Sequence, residues 1–479
     1  MEIGDAWIWV VVLITIFLAA EIMGIVSAGH AIMAARTAQG AIAWAICLII
    51  FPFIALPAYW IFGCSKFEGY VKARRSGTSE IHHVFHEAAR HALDRGLFVT
   101  DSKPEHRVLE RLVRMPFTKH TRVRLLVDGE ETFRAIFAGI ESARDYILVQ
   151  FFIVHDDELG NELKSRLLAK VAEGVRIYFL YDEIGCHQLP SRFLGELRVA
   201  GVQIYPFHSN RRNRFQINFR NHRKIVVVDG RVAYVGGLNV GDEYMGRSER
   251  FGPWRDTHSQ LEGPSVHAVQ LSFLEDWFWA TRTVPQLDWY ARPAEGGDQN
   301  VLVLPTGPAD AFESCGLFFI NMINRARRRI WIASPYFVPD LPVISALQLA
   351  ALREVDVRIM LPEKPDHLLI YLSSFSFLDD AELAGVKIYR YQPGFLHHKV
   401  LIVDDDLSAV GTANLDNRSF RLNFEITVLV DDAKFAAQMA EMFERDFSRC
   451  RLAQADELER RPLWFKVAVQ VSRLLAPVQ

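Results

Sequence analysis

Residues 221–239 read NHRKIVVVDGRVAYVGGLN, and this segment constrains both the fold and the chemistry of the chain. The run after Lys224 is β-branched and apolar, which predicts a buried strand that ends near Asp229. Alternate residues of a strand share a face, so His222 and Lys224 are expected to project together. A glycine pair then allows a tight turn that brings Asn239 back toward the histidine. An imidazole beside an ammonium and an amide suits a phosphoryl group.

The same pattern occurs a second time, at residues 396–414, which read LHHKVLIVDDDLSAVGTAN. His397, Lys399 and Asp404 repeat the spacing H-x-K-x-x-x-x-D, and Asn414 matches the asparagine that ends the first copy. A single copy is an ordinary strand pattern, whereas two matched copies indicate a catalytic pair. We therefore predict one composite site to which each copy contributes half.

The repeat extends beyond these two segments and predicts the fold class. Three pairs of apolar, strand-like segments match between the halves: YILVQFFIV with RIWIASPYFV, GVRIYFLYD with DVRIMLPEK, and GVQIYPF with GVKIYRY. Helical stretches such as ELKSRLLAKVAEG and ISALQLAALREV alternate with them, as in α/β units built around a sheet. We predict the α/β class, with two homologous lobes, residues 121–295 and 296–450, packed face to face.

Two apolar segments near the N-terminus predict a transmembrane hairpin over residues 1–65. Residues 6–26 and 40–62 are each about long enough for the roughly 30 Å hydrocarbon core of a bilayer. The first segment follows acidic residues and is too long for the apolar part of a signal peptide, which is the competing interpretation. Pro52 and Pro57 are expected to kink the second helix, as membrane helices tolerate.

The charges that flank these segments predict their orientation. Arg36 is the one firm positive charge between them, whereas the second segment is followed directly by Lys66, Lys72, Arg74 and Arg75. The positive-inside rule then places the N-terminus and everything after residue 65 in the cytoplasm. We predict a multi-pass membrane protein with a large cytoplasmic body.

Residues 66–120 are predicted to be a polar, helical connector, and residues 451–479 an amphipathic tail. The connector carries four histidines, His82, His83, His86 and His91. We favour a surface helix there over a metal site, because no carboxylate or cysteine ligand set accompanies them. For the tail, which reads PLWFKVAVQVSRLLAPVQ from residue 462, we favour a helix lying on anionic lipid over a helix docked on the body.

Length and composition bound the remaining alternatives. The chain has 479 residues, half of them apolar, and a formal net charge of −3. The length predicts two or three structural units, and the charge argues against a nucleic-acid-binding protein that relies on bulk basicity. Five scattered cysteines without C-x-x-C spacing predict neither a disulfide framework nor a zinc site.

The two H-x-K-x-x-x-x-D copies resemble the HKD motifs of the phospholipase D superfamily. The motif residues carried over by this resemblance are His222, Lys224, Asp229, His397, Lys399 and Asp404. The resemblance implies phosphodiester exchange, which the histidines and lysines can supply without a metal or another cofactor. The two aspartates are expected to brace each strand and its turn rather than to contact substrate.

The same resemblance implies a role for each side chain. One histidine attacks phosphorus to form a phosphohistidine, and the other protonates the leaving alcohol and then activates the acceptor. We assign the attack to His222 and the acid/base role to His397, a choice that the near-symmetry of the motifs leaves open. The lysines, with Asn239 and Asn414, are expected to hold the charged phosphoryl oxygens.

In this superfamily an acid on a following strand binds the active-site imidazole. The segment PWRDTHSQLEGP contains Asp256, our candidate for orienting His222, and NLDNRSFRLNFEI contains Glu425, our candidate for orienting His397. A basic insert, HSNRRNRFQINFR, precedes the first motif. Its arginines, Arg211, Arg212, Arg214 and Arg220, suit either anionic headgroups or a solvated loop.

Over nearly its whole length the chain is similar to bacterial cardiolipin synthases. The shared segments are the double N-terminal apolar anchor, RNHRKIVVVDG, GGLNVGDEY, PWRDTH, FLEDW, SPYFVP, GFLHHKVLIVDD and GTANLDNRSFRLNFE. This similarity implies transfer of a phosphatidyl group between two phosphatidylglycerol molecules, with release of glycerol, at the bacterial inner membrane. The expected partners are phosphatidylglycerol and anionic membrane lipid, not nucleic acid; the oligomeric state stays open, a homodimer included.

The nearest alternative is a membrane-bound phospholipase D that hydrolyses its lipid or transfers it to another headgroup. A phosphodiesterase that acts on nucleic acid has the same motif chemistry. We rank it lower because the apolar segments hold the site near lipid and no basic groove with interleaved aromatic residues is evident. A non-catalytic scaffold has no need of two intact His–Lys pairs.

Overall fold

A computed structural model of the chain describes residues 2–35, 37–63, 70, 78–207, 218–454 and 456–476. The chain divides into two compact units. The first comprises Met1–Val71 and Asn210–Phe219, and the second comprises Lys72–Ser209 and Arg220–Gln479.

The described part of the first unit is helical. It contains α1 (Glu2–Ala34), α2 (Ala38–Ile50) and α3 (Pro52–Ala58), followed by a π-helical turn at Tyr59–Gly63. Within this unit α1 packs against α2 and α3 around a small core that includes Ala31, Leu48 and Tyr59. Gly24 permits the close approach of α1 to α2, because a Cβ there would lie 2.3 Å from the carbonyl oxygen of Leu48.

Among the described residues, one helix, Trp7–Ala34, is long and apolar enough to cross a membrane. The first predicted apolar helix is therefore present. The second predicted segment forms two shorter apolar helices, Ala38–Ile50 and Pro52–Gly63. The helix breaks at Phe51 because a residue that precedes proline disfavours the helical conformation, whereas Pro57 lies inside α3.

The second unit is built on a mixed sheet of 16 strands with two small strand pairs beside it. The first lobe contains β1 (Thr118–Val127), β2 (Tyr146–Phe151), β3 (Arg176–Tyr181), β4 (Gln203–Pro206), β5 (Arg220–Asn221), β6 (Ile225–Val228), β7 (Val232–Gly236), β8 (Trp254–Arg255) and β9 (Thr257–Glu262). The second lobe contains β10 (Gln299–Thr306), β11 (Arg329–Ala333), β12 (Phe337–Val338), β13 (Asp356–Pro362), β14 (Lys387–Tyr391), β15 (Phe395–Leu396), β16 (Val400–Val403), β17 (Leu407–Gly411), β18 (Leu415–Asp416), β19 (Asn423–Asp431) and β20 (Cys450–Leu452).

Helices cover this sheet. They are α4 (Thr78–Asp94), α5 (Pro104–Val113), α6 (Asp128–Ser142), α7 (Glu158–Ala172), α8 (Ser191–Ala200), α9 (Ser265–Thr281), α10 (Ser314–Arg325), α11 (Leu341–Leu352), α12 (Leu368–Glu382), α13 (Asn417–Arg421), α14 (Ala433–Phe447) and α15 (Leu463–Arg473). A 3₁₀ turn spans Asp242–Met245.

The two lobes share one strand order. It is β4-β3-β2-β6-β7-β9-β1 in the first lobe and β14-β13-β11-β16-β17-β19-β10 in the second. The antiparallel pair β1–β10, with Thr118 opposite Val301, joins the lobes into a continuous sheet. The predicted α/β class with two homologous lobes is confirmed, and the repeated segments found in the sequence are the matched strands of the two lobes.

Buried apolar residues form a core within each lobe and a third core that both lobes share. The first-lobe core includes Phe179, and the second-lobe core includes Ile359. The shared core brings Trp277 of α9 together with Phe443 of α14. Because this core belongs to both lobes, neither lobe buries its full apolar surface alone, and the body is a single unit.

The C-terminal helix α15 docks on the second lobe, which is the less favoured of the two arrangements predicted for the tail. Phe465 and Val469 are buried against α12, and the rings of Phe465 and Phe375 lie 5.4 Å apart. The opposite face of α15 is apolar and exposed. Its residues are Leu463, Trp464, Val467, Val471 and Leu474, each more than half exposed.

Because one apolar face of α15 is exposed, contact of the C-terminal tail with the membrane remains a prediction. A polarity-sensitive fluorophore on an introduced cysteine at position 467, in a variant whose own cysteines are serine, should shift to shorter wavelength in proteoliposomes of anionic lipid, because Val467 then leaves water. The matched control is position 199 of α8, where Val199 is 91% exposed. Equal spectra at the two positions would contradict membrane contact by the tail.

Candidate active site

Each His–Lys pair lies directly before a buried strand, as the spacing predicts. His222 and Lys224 precede β6, and His397 and Lys399 precede β16. Both histidines are 8% exposed, whereas the lysines are 0% and 5% exposed. The Nζ of each lysine donates to the carbonyl oxygen of the histidine two residues before it, at 2.6 Å in both lobes. The rigid strands therefore hold the two pairs in matching geometry.

The acids that bind the histidines are exchanged between the lobes. Nδ1 of His222 lies 2.9 Å from Oε2 of Glu425, and Nδ1 of His397 lies 2.7 Å from Oδ2 of Asp256. The predicted pairing of Asp256 with His222 and of Glu425 with His397 is therefore wrong, although both acids are at the site. Each histidine is oriented by the acid of the other lobe. A carboxylate accepts the Nδ1 proton, so each Nε2 keeps its lone pair.

Strand pairing across the lobes explains the exchange. The short strand β5, just before His222, pairs in parallel with the start of β19, and the backbone N–H of His222 donates to the carbonyl of Phe424 at 2.9 Å. In the same way β15 pairs with β8, and the N–H of His397 donates to the carbonyl of Arg255 at 2.8 Å. Each histidine therefore enters the site beside the strand that carries the other lobe's acid. The spacing of the motifs along the chain does not reveal that the two acids are exchanged between the lobes.

The carboxylates of Glu425 and Asp256 accept hydrogen bonds from different groups. Glu425 accepts hydrogen bonds from the Thr412 hydroxyl at 2.5 Å and from the side-chain amide of Asn423 at 3.0 Å. Gly237 occupies the position of Thr412 in the first lobe, where a Cβ would lie 2.1 Å from Oδ1 of Asp256. Asp256 instead accepts the backbone N–H of Thr257 at 2.7 Å. The two halves thus repeat their geometry but not their hydrogen bonding.

The pKa values of the two acids differ because their surroundings differ. Burial by itself would raise the pKa of Glu425, but the His222 ring, Lys224 and the Thr412 hydroxyl together lower it, so Glu425 is an anion. Burial raises the pKa of Asp256, and the charge of Lys399 opposes that rise without cancelling it. An anionic Glu425 makes Nε2 of His222 the more electron-rich nitrogen, which suits a nucleophile.

Burial dominates the ionisation of the basic groups. It lowers the pKa of Lys399 to about 8 and that of Lys224 well below its usual range. Burial also lowers the pKa of His222, and that of His397 well below its usual value, and each lysine charge adds to the effect on the histidine of the other lobe. The crossed hydrogen bonds to Glu425 and Asp256 bring the two pairs into one site. A bound phosphate would reverse the shifts by favouring the cationic forms.

The motif aspartates brace turns, as predicted, and lie away from the histidines. Asp229 has a left-handed backbone (φ 51°), and its carboxylate accepts the N–H groups of Arg144, Asp145 and Tyr146 at 2.8–2.9 Å. Asp404 has the same φ and accepts three consecutive N–H groups that lead into β11. Both lie five residues beyond their lysine, roughly 17 Å along an extended strand. Their role is structural.

The side chains of Asn239 and Asn414 differ in their hydrogen bonds. Oδ1 of Asn239 accepts the N–H of Ile153 at 3.1 Å, and its amide nitrogen lies 3.2 Å from the Tyr244 hydroxyl. Oδ1 of Asn414 is buried and has no partner among the described residues. Substrate contact by these amides remains a prediction.

Aromatic rings enclose the histidines and were not identified from the sequence. The ring of Phe152 lies 5.1 Å from that of His222, and the ring of Trp254 lies 5.1 Å from that of His397. Both rings limit the access of water to the imidazoles. Their positions were the available signal, since Phe152 lies within the repeated segment YILVQFFIV and Trp254 stands two residues before Asp256.

Buried ion pairs fix the backbone around the site. Arg223 donates to Asp276 at 2.9 Å within the first lobe. Arg255 of the first lobe bonds Asp446 of the second at 2.7 Å, and both side chains are nearly fully buried. Removing either partner of such a pair leaves an uncompensated buried charge. The Arg255 pair therefore ties the segment that carries Asp256 to the second lobe.

Other predicted features fall partly outside the description. Arg211, Arg212 and Arg214 of the basic insert are not among the described residues, whereas Arg220 lies in β5 beside the site. The histidine-rich segment is part of α4, as predicted. In the described ranges no three or more His, Cys, Asp or Glu side chains group as a metal site.

Comparison with known proteins agrees with this geometry. Residues 136–249 and 319–447 match the family model described as cardiolipin synthase, PLD-like domain. The chain belongs to this family. It is 49% identical over 465 residues to cardiolipin synthase A of Pseudomonas putida, covering 96% of each chain, and 48% identical over 463 residues to that of Pseudomonas fluorescens, covering 95% of this chain and 96% of the relative.

A solved structure extends the likeness to the fold. The crystal structure of phosphatidylserine synthase from Haemophilus influenzae superposes with a TM-score of 0.60 at 15% sequence identity. The match covers 79% of this chain and all of the other. At 15% identity this match supports the two-lobed fold alone.

The exchanged acids can be tested with a phosphatidyl ester whose p-nitrophenol leaving group needs no protonation. In an H397N background, D256N should change the burst of p-nitrophenol little, because the imidazole served by Asp256 is already gone. E425Q should lower the burst rate about 10²-fold or more, because the amide imposes the wrong tautomer on His222. E441Q on the exposed face of α14 is the matched control. A burst rate that D256N lowers and E425Q leaves unchanged would instead support the pairing of Asp256 with His222 and of Glu425 with His397.

The lysine pKa values predict an alkaline limit for the free enzyme. The Lys399 ammonium is present below its pKa of about 8 and is lost as the pH rises through that value. We therefore expect kcat/KM to fall above about pH 8, while kcat falls only at higher pH because bound phosphate favours the ammonium. K399R should remove the part of the fall in kcat/KM that is centred near pH 8, because a guanidinium stays charged, whereas the part that comes from Lys224, whose pKa burial also lowers, should remain. A kcat/KM that stays constant to pH 10 in the unmodified enzyme would contradict this assignment.

Proposed function

We propose that this protein is a cardiolipin synthase that transfers a phosphatidyl group from one phosphatidylglycerol to another. The observation that carries the proposal is the composite site, with two buried His–Lys pairs, each histidine held by an acid of the opposite lobe. Relatives named cardiolipin synthase A, at 48–49% identity over nearly the full length, support the choice of reaction.

The first step forms a covalent intermediate. Nε2 of His222 attacks the phosphorus of the donor phosphatidylglycerol, and the bond from phosphorus to the glycerol oxygen breaks. The bound donor phosphate raises the pKa of His397, which becomes an imidazolium; the proton that it then carries on Nε2 passes to that oxygen, and glycerol leaves. Lys224 and Lys399 face the non-bridging oxygens and stabilise the charge that develops there. Glu425 stabilises the positive charge that forms on the His222 ring.

The second step repeats the first in reverse with a new alcohol. His397, now neutral, takes the proton of the terminal hydroxyl of the acceptor phosphatidylglycerol, and that oxygen attacks the phosphohistidine. The phosphorus–nitrogen bond breaks, His222 is regenerated and cardiolipin is released. The low exposure of both histidines, beside Phe152 and Trp254, disfavours water as the acceptor.

The N-terminal helices support a reaction at a membrane. We propose a multi-pass anchor over residues 1–65 and a cytoplasmic body in the bacterial inner membrane, on the strength of Trp7–Ala34, the two shorter apolar helices and the flanking cations. Phosphatidylglycerol and anionic membrane lipid are the proposed partners.

Product analysis tests this function. The purified full-length protein, given phosphatidylglycerol alone in mixed micelles, should yield cardiolipin and glycerol in equal amounts. H222A and H397A should each lower the rate by about 10³-fold or more, because either loss removes a bond-making or proton-carrying group. H187A, at an exposed histidine of the first lobe, is the matched control.

Each product identifies a mechanism. Phosphatidic acid with glycerol would show a hydrolase, the principal alternative. Substantial cardiolipin formation by either H222A or H397A would contradict the two-histidine mechanism.

A further inference from the structure

Two aromatic rings flank His397 where the lobes meet. Phe395 and Trp254 stand opposite each other in the β15–β8 pair, one of them two residues before the histidine and the other two residues before its acid. Their ring centres lie 4.9 Å apart, and they lie 5.9 Å and 5.1 Å from the centre of the His397 ring. Gly394 permits this approach, because a Cβ there would lie 2.1 Å from the carbonyl oxygen of Pro253. Both rings are buried, so one side of His397 is an apolar wall.

The matched positions beside His222 are polar. Arg220 and Asn423 stand opposite each other in the β5–β19 pair, again two residues before the histidine and two residues before its acid, Glu425. Alternate residues of an extended chain share a face, so Arg220 and His222 project together. The side-chain amide of Asn423 donates to Glu425 at 3.0 Å. The repeated backbone therefore carries two rings beside one histidine, and a cation and an amide beside the other.

The direction of attack gives the two ends of the site different contents. His222 lies on one side of phosphorus, so the leaving glycerol, and later the entering alcohol, lie on the opposite side, next to His397. The His222 end meets the anionic phosphoryl group, which suits the guanidinium of Arg220. The His397 end meets a neutral polyol. Any water that competes with the acceptor must occupy that same place.

Ring faces discriminate between these two occupants. A buried water is stable where it has roughly two to four polar partners, and ring carbons do not supply them. Glycerol, in contrast, buries the carbon atoms of its skeleton against a ring while one hydroxyl still reaches the histidine. Nδ1 of His397 is bound by Asp256 at 2.7 Å, so Nε2 is the nitrogen that meets this hydroxyl. The rings therefore favour an alcohol over water at the base.

We propose that Trp254 and Phe395 form the acceptor subsite, which takes the glycerol headgroup of phosphatidylglycerol against its rings and keeps water from His397. This inference rests on the proposed function and assigns to these two residues the choice of alcohol over water. The donor's own glycerol occupies the same place before it leaves, because the second step repeats the first in reverse. The phosphohistidine is thus resolved by transfer, which gives cardiolipin, and not by hydrolysis, which gives phosphatidic acid.

The fate of the phosphohistidine tests the proposal in the full-length enzyme with phosphatidylglycerol in mixed micelles. Cardiolipin and phosphatidic acid arise from the same intermediate, so their ratio does not depend on the donor step or on the amount of folded enzyme. W254N installs the side chain that Asn423 supplies at the matched position. It should raise the ratio of phosphatidic acid to cardiolipin by about tenfold or more, because water gains a polar partner and glycerol loses a ring face.

A second variant guards against misfolding. F395L keeps an apolar side chain and should raise the same ratio by a smaller factor, because it removes one ring face without adding a polar group. An unchanged ratio in both variants, or in F395L where W254N does not fold, overturns the proposal.

The matched control is F152A. The ring of Phe152 also lies 5.1 Å from a catalytic histidine, but that histidine is His222, on the side of phosphorus from which no alcohol enters. The variant should keep the ratio of phosphatidic acid to cardiolipin of the unmodified enzyme, whatever its rate. An equal rise in F152A and W254N would show general shielding of the site from water and would overturn the assignment of an acceptor subsite.

Isotopically labelled glycerol identifies the part of the acceptor that the rings hold. Free glycerol reacts with the phosphohistidine to give labelled phosphatidylglycerol, and it shares only the headgroup with the lipid acceptor. W254N should therefore lower labelled phosphatidylglycerol and cardiolipin by the same factor relative to phosphatidic acid. A loss of cardiolipin alone would show that the rings hold another part of the lipid and would overturn the headgroup assignment. An unmodified enzyme that forms no cardiolipin would instead contradict the proposed function itself.

Discussion

The hydrogen bonds that cross between the lobes are the constraint on which the site depends. Glu425 binds His222 and Asp256 binds His397, so neither lobe contains a complete acid–imidazole pair. The remaining contacts of the interface serve the same end: β5 on β19, β15 on β8, and the buried pair of Arg255 with Asp446. An error in the relative position of the lobes would break both imidazole contacts at once. The joint core and the β1–β10 pair prevent such an error.

Burial gives this site its chemical character. Four basic side chains converge where water is scarce, so their pKa values fall in the empty enzyme and rise again when a phosphate arrives. The two lysines are therefore fully charged only when the substrate phosphate is bound, whereas His222 attacks as the neutral imidazole. Within this near-symmetric frame, Thr412 and Asn423 support Glu425, whereas Gly237 leaves Asp256 without such a hydroxyl. Duplicated geometry with unequal hydrogen bonding is a physical basis for two histidines with different roles.

The sequence by itself determined the chemistry and most of the local structure. Two matched H-x-K-x-x-x-x-D segments, each followed by β-branched residues, predicted both strands β6 and β16, the buried His–Lys pairs and the turn-bracing aspartates. The resemblance to the phospholipase D superfamily also implied Asp256 and Glu425 as the acids, because the segments that carry them can be recognised locally in the sequence. The sequence also predicted kinks at Pro52 and Pro57 in one second apolar helix, where the structure instead has a break at Phe51 and a helix that continues through Pro57.

Only the tertiary structure decided which acid serves which histidine. That pairing depends on β5 meeting β19 and β15 meeting β8, contacts between residues about 200 and 140 positions apart. Tertiary packing also docked α15 on α12 instead of leaving it free. Long-range contacts of this kind leave no periodicity in the sequence, because they are selected by the burial of whole strands and helices against one another.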